Sequence, residues 1–139
     1  DSGPLIFSND IQHNKDLYAS NVYELIFKDF TNSYNEIIEN LNNELKQHND
    51  NESLTKKFNK SDFCINNDDV ETAQRKIRAF DVVGPAYAVH NDKNIKIHKY
   101  SNSNLGLEIK LTDGYIYPLE ITPEGKNRMK VEDYIRGLK

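Results

Sequence analysis

The sequence has one cysteine, one methionine and no tryptophan. A single thiol, Cys64, excludes an internal disulfide and any zinc site built on several cysteines. It lies in SDFCIN between apolar neighbours, with no histidine or basic side chain adjoining it to lower its pKa, so it reads as a buried structural thiol. No stretch approaches the roughly 18 apolar residues of a membrane-spanning helix, so no membrane partner is expected. The opening DSGPLIFSND lacks a basic segment followed by an apolar one, and no secretory leader is legible. The first residue is Asp, which reads as a fragment or a processed form and leaves the compartment open. P-loop, dinucleotide-type glycine fingerprint and nucleophile elbow are all missing, so no cofactor is implied. His13 and His48 have no partners at metal-ligand spacing, and no metal site is expected.

What is present describes a polar folded domain. In 139 residues, 37% are apolar and 29% charged, enough for a single α+β domain with a real core. The net charge of −4 hides a segregation. Residues 1–74 hold 6 Lys/Arg against 14 Asp/Glu, a balance of −8; residues 75–139 hold 12 against 8, a balance of +4. Segregation of this kind marks either an anion-binding surface or two faces that attract each other within one fold.

Hydrophobic periodicity changes along the chain. Over residues 16–47, Val22, Leu25, Ile26, Phe30, Tyr34, Ile37, Ile38, Leu41 and Leu45 recur at spacings of three and four, which predicts a helix with a core-facing stripe, bent or broken at TNS, 31–33. A polar connection follows over 47–63. A second helix begins at Asp68 or Asp69, buries Val70, Ala73, Ile77 and Phe80, and stops at VVGPAY, because Pro85 disfavours helix at Gly84. Beyond it the period becomes two. Strands are predicted at about 86–90, 94–99, 105–111 and 115–121, with a short helix at about 129–136. Connections this short admit no crossover helix, so the strands form an antiparallel meander. The expected architecture is α+β, with residues 1–80 mainly helical and acidic and 81–139 mainly β and basic. The helices pack on one face of a four-stranded meander, on the side of Ile97, Leu107, Ile109, Tyr117 and Leu119.

Register then decides which side chains meet. A three-residue loop at Thr112–Gly114 pairs Leu111 with Tyr115 and puts the apolar residues of both strands on one side. The same logic pairs Ile97 with Leu107 and Tyr87 with Ile97. The wet face then runs in two rows: Ala88, Lys96, Glu108, Pro118 and Ala86, His98, Gly106, Glu120. His98 and Glu120 flank the bare Gly106, about 10 Å apart between backbones. Lys96 and Lys110 add positive charge and Glu108 supports the face. Read structurally, these residues are a solvated surface with a Lys96–Glu108 cross-strand ion pair. Read chemically, they are a base, an acid and phosphate-binding cations around a phosphate-sized gap, suited to metal-independent phosphodiester transesterification.

Helices followed by an antiparallel meander with a Glu/His/Lys wet face resemble the barnase/EndoU/colicin/RelE group of ribonucleases, which includes many toxin domains of bacterial competition systems. The resemblance implies RNA as substrate, a cognate immunity protein as partner, Glu120 as base, His98 as acid and Lys96 as phosphate ligand. The acidic balance of the chain sustains a second reading, a non-catalytic interaction module of immunity, inhibitor, cystatin-like or NTF2-like type.

Overall fold

A computed structural model describes residues 3–44 and 53–138. Two compact units divide the chain: residues 1–17 with 21–57, and residues 18–20 with 58–139.

The first unit carries most of helix α1 (Ala19–Asn32) and all of helix α2 (Tyr34–Glu39). The break between them falls at Ser33, as the TNS triplet predicts. Thr31 Oγ1 donates to the Phe27 carbonyl at 2.8 Å, a back-bond that bends helices. Leu45 and His48 lie outside the described residues. The predicted stripe is present but not buried: no described residue of this unit is buried, and Ile26, Phe30, Tyr34 and Ile38 are each about half exposed. Periodicity reports that a helix has an apolar face, not what covers it.

The second unit is an antiparallel sheet with a helix on it and a short helix at its end, so the chain is α+β as expected. Its covering helix is α3 (Val70–Ala79). Asp69 caps it, the carboxylate accepting from Thr72 N at 2.6 Å, and Ala73, Ile77 and the following Phe80 point into the core. The strands are β1 (Tyr87–His90), β2 (Lys93–Ser101), β3 (Ile109–Lys110), β4 (Tyr115–Pro123) and β5 (Met129–Lys130), closed by α4 (Val131–Arg136). The β1–β2 turn is Asn91–Asp92, with φ of 49° and 60°, the left-handed pair that two-residue hairpins require. His90 is the last residue of β1.

Strand order is β1-β2-β4-β3, with β5 also on β4, and so departs from the meander. Residues 102–108 do not extend as strand. Asn104 Oδ1 accepts from Gly106 N at 2.7 Å, and Gly106 sits at φ +101°. This turn shortens β3 to two residues and leaves β2 free to pair with β4. Register shifts as well. Lys110 opposes Tyr115, and Leu111 N donates to the Gly114 carbonyl at 2.9 Å. The turn is set by tertiary contact: Asp113 Oδ1 accepts from Val70 N at 2.8 Å, and Thr112 donates twice to the Asp68 carbonyl. Tyr87 opposes Lys96, which buries Ala86 and Ala88 rather than exposing them.

A pair of irregularities divides the β2–β4 ladder. Ile97 opposes Ile121 and Lys99 opposes Glu120, so His98 is the extra residue on β2. Tyr100 then opposes Pro118, so Leu119 is the extra residue on β4. The bulges switch the inward parity. Ile116 and Pro118 are buried on one side of Leu119, Ile121 and Pro123 on the other, while Tyr115 and Leu119 are exposed. Ile65, Ile77, Ile95, Ile97, Ile109 and Ile121 form the centre of the core. Each contributes about 1.5–3 kcal/mol by burial.

Candidate functional site

The paired ladder puts Lys96 beside Thr122, and Glu120 between Lys99 and Lys130. Cross-strand partners share a face, and Glu120 and Thr122 are two apart on one strand, so all five project outward together. The bulge turns His98 onto this surface, where its Nε2 lies 2.8 Å from Thr122 Oγ1. The Glu124–Gly125 turn brings the chain back along β4. Arg128 then reaches Glu120, with Nε 3.0 Å and Nη2 2.5 Å from Oε2. Lys99 Nζ stands 4.0 Å from Oε1. The face thus gathers Lys96, Lys99, Arg128 and Lys130 with a histidine, around one central carboxylate.

Electrostatics fix the protonation states. The Arg128 hydrogen bonds hold the Glu120 carboxyl below its ordinary value, with help from the charges of Arg128, Lys99 and His98 and against partial burial. His98 is also pushed down, first by burial and then by Arg128, while Glu120 and Asp81 oppose. At neutral pH Glu120 is a carboxylate engaged by arginine, and His98 a neutral ring hydrogen-bonded to a hydroxyl.

Three of the predicted site residues, Lys96, His98 and Glu120, do share a face. The other three do not join them. Lys110 lies on β3, opposite Tyr115, about 17 Å along β4 from Glu120 by strand rise. Glu108 is exposed in the loop before β3 and accepts from Asn104 Nδ2 at 3.0 Å, so no Lys96–Glu108 row forms. Gly106 leaves no gap: a Cβ built on it would lie 2.7 Å from Ile135 Cδ1 of α4, so an isoleucine occupies the space assigned to phosphate. Cys64 is half-buried, with Sγ 3.5 Å from Asn66 Oδ1.

Arg128, Lys99, Thr122 and Lys130 escaped the sequence reading. The available signal was PEG followed by a strand-competent stretch, a glycine-containing hairpin connection that returns residues 128–130 to the sheet.

Residues 57–139, more than half of the chain, match the model for the formyl transferase C-terminal domain. The matched segment begins one residue before the second compact unit resumes at Phe58. No curated protein matches the chain. The family match overturns the ribonuclease-toxin expectation, with its place in bacterial competition, and gives the immunity or inhibitor reading no support. Element order misled because helices followed by an antiparallel sheet recur on unrelated proteins. The chain belongs to the formyl transferase C-terminal domain family.

Proposed function

We propose that residues 57–139 serve a formyl-transferase-family protein as an accessory, substrate-holding domain, and that the outward sheet face binds a phosphate-bearing acceptor while transfer takes place elsewhere. The observation that carries this is the convergence of Lys96, Lys99, Arg128 and Lys130 on one face of the matched segment. Among the described residues no polar or charged side chain is fully buried. Transfer chemistry works best in dry, preorganised sites, and this face is wet.

The hollow on this face measures about 290 Å³ and is lined by Leu119, Glu120, Lys130 and Glu132. Sites that enclose a small molecule run from about 300 to 1,000 Å³. A shallow cationic surface suits a polymer backbone better, and RNA is the acceptor class it favours. The test is fluorescence anisotropy with a short RNA and, separately, a nucleoside diphosphate. RNA should bind the more tightly, with log affinity falling steeply against log salt. The double variant Lys99→Glu/Lys130→Glu should lose at least about tenfold, one lost phosphate contact costing on the order of 1.4 kcal/mol. Salt-independent binding, or formyl transfer by this chain alone, would sink the proposal.

A further inference from the structure

The outward face of the sheet extends along β4 beyond the four cations, and all of it belongs to the second compact unit. On β4 the buried residues are Ile116, Pro118, Ile121 and Pro123. Tyr115, Tyr117, Glu120 and Thr122 therefore take the other side, with Leu119 carried across at its bulge. Cross-strand partners continue each row. Lys110 stands opposite Tyr115 and Ser101 opposite Tyr117, while Lys99 and Lys130 flank Glu120 and Lys96 lies beside Thr122. Two phenol rings thus share one face with a series of cations. From Tyr115 to Thr122 the run measures about 23 Å by strand rise.

Cations alone would describe a surface that tracks phosphate. Two features call for bases as well. The first is the pair of rings. Tyr115 is exposed and Tyr117 partly so. Their backbones stand about 7 Å apart along the strand, twice the 3.4 Å step of stacked bases, which leaves room for one base between them. Aromatic rings beside a basic track bind single strands by stacking, and every base offers a face. The second is the carboxylate at the centre. Glu120 repels phosphate, so a backbone passing over this face lies beside it, along the lysines. Its Oε2 is taken by Arg128, while Oε1, 4.0 Å from Lys99 Nζ, keeps lone pairs for the exocyclic amine of a base. A paired RNA helix meets neither feature, because its base faces are covered by their neighbours and it is read through sugar and phosphate.

We infer that this face holds an unpaired stretch of RNA, its bases stacked on Tyr115 and Tyr117 and its phosphates on the surrounding lysines and Arg128. The inference rests on the acceptor reading above and adds to it that the bound segment is single-stranded.

Tyrosine is also a good strand former, so the experiment must separate stacking from folding. Fluorescence anisotropy with the full chain compares a short unstructured RNA strand with the duplex it forms with its complement, at fixed salt and then across a salt series. The single strand should bind at least about tenfold more tightly, the scale of two stacked bases. Tyr115→Ala and Tyr117→Ala should each cost at least about fivefold on the single strand, while the duplex affinity and the salt slope stay as in the wild type. Tyr117→Phe should bind within roughly twofold of wild type, because stacking needs the ring and not the hydroxyl. Lys99→Glu/Lys130→Glu should instead flatten the salt slope. Equal affinity for strand and duplex overturns the inference. So do tyrosine variants that bind the strand like wild type, or that weaken strand and duplex alike, which would place their role in the fold. Salt-dependent binding of both RNA forms alike sinks only this inference; binding of neither sinks the acceptor reading on which it rests.

Discussion

Glu120 is the residue on which the sheet face turns. Arg128 donates to it twice, Lys99 stands nearby, and His98 sits one bulge away on Thr122. Both titrating groups have folded pKa values below their ordinary ones, so each stabilises the fold above its unfolded pKa and loses that contribution as pH falls. The windows differ. His98 gives way from its ordinary 6.5 downward, because the folded ring resists the proton that the unfolded ring accepts. Glu120 follows from its ordinary 4.5 downward. Thermal melts should therefore soften in two steps on acidification, and His98→Gln should flatten the first step alone. Arg128→Ala should bring the Glu120 pKa back toward 4.5 in a carboxyl NMR titration. Its stability cost should stay within about 1 kcal/mol, because Arg128 is half exposed. An unmoved Glu120 would show that Arg128 is not its partner in solution. Lys96, His98 and Glu120 were legible as face-mates because alternation survives locally. Arg128 was not, since a hairpin eight residues long in sequence, not a period, delivers it.

At the scale of elements, α4 is keyed to the turn before β3 by an absence of side chain. Ile135 fills the space over Gly106, whose φ of +101° few other residues adopt. Gly106→Ala should cost about 1–3 kcal/mol through backbone strain, with overpacking added. Combining it with Ile135→Val should recover part of that loss, by making room at the contact while the strain remains. Denaturant midpoints of the single and double variants decide it; strict additivity would mean that the two side chains do not meet. A glycine in a polar row looks the same in sequence whether it leaves a hole for ligand or accepts a neighbour from another element. The same limit explains the strand order. Alternation located β1, β2 and β4, and cap chemistry narrowed the start of α3 to Asp68 or Asp69, of which Asp69 is the cap. Neither carried information about two compensating bulges at His98 and Leu119, or about Asp113 being drawn to the start of α3. Those depend on contacts between segments distant in sequence, where local pattern has no purchase.

Over the whole molecule, burial is distributed unevenly. Every residue of the core cluster lies between Ile65 and Val131, and two described residues before it pack against that core: Phe63, its ring 4.4 Å from Phe80, and Tyr18, its ring 6.4 Å from Tyr100. Cooperative unfolding follows buried contacts, so the stability of the isolated chain should reside in residues 58–139. A fragment beginning at Phe58 should keep one sharp thermal transition. It forgoes the Tyr18–Tyr100 contact, and an aromatic pair is worth about 0.5–1.5 kcal/mol beyond area. Its midpoint should therefore fall by roughly 4–8 °C per kcal/mol lost, the scale for a domain of this size. Tyr18→Ala in the full chain should reproduce most of that fall, because it removes the same packing while leaving the helices in place. Hydrogen exchange would add the complementary view, with amides of β2 and β4 exchanging only on global unfolding and those of α1 and α2 near the unprotected rate. A broad, non-cooperative melt of the fragment would mean that residues 1–57 supply core that the burial pattern assigns to the sheet.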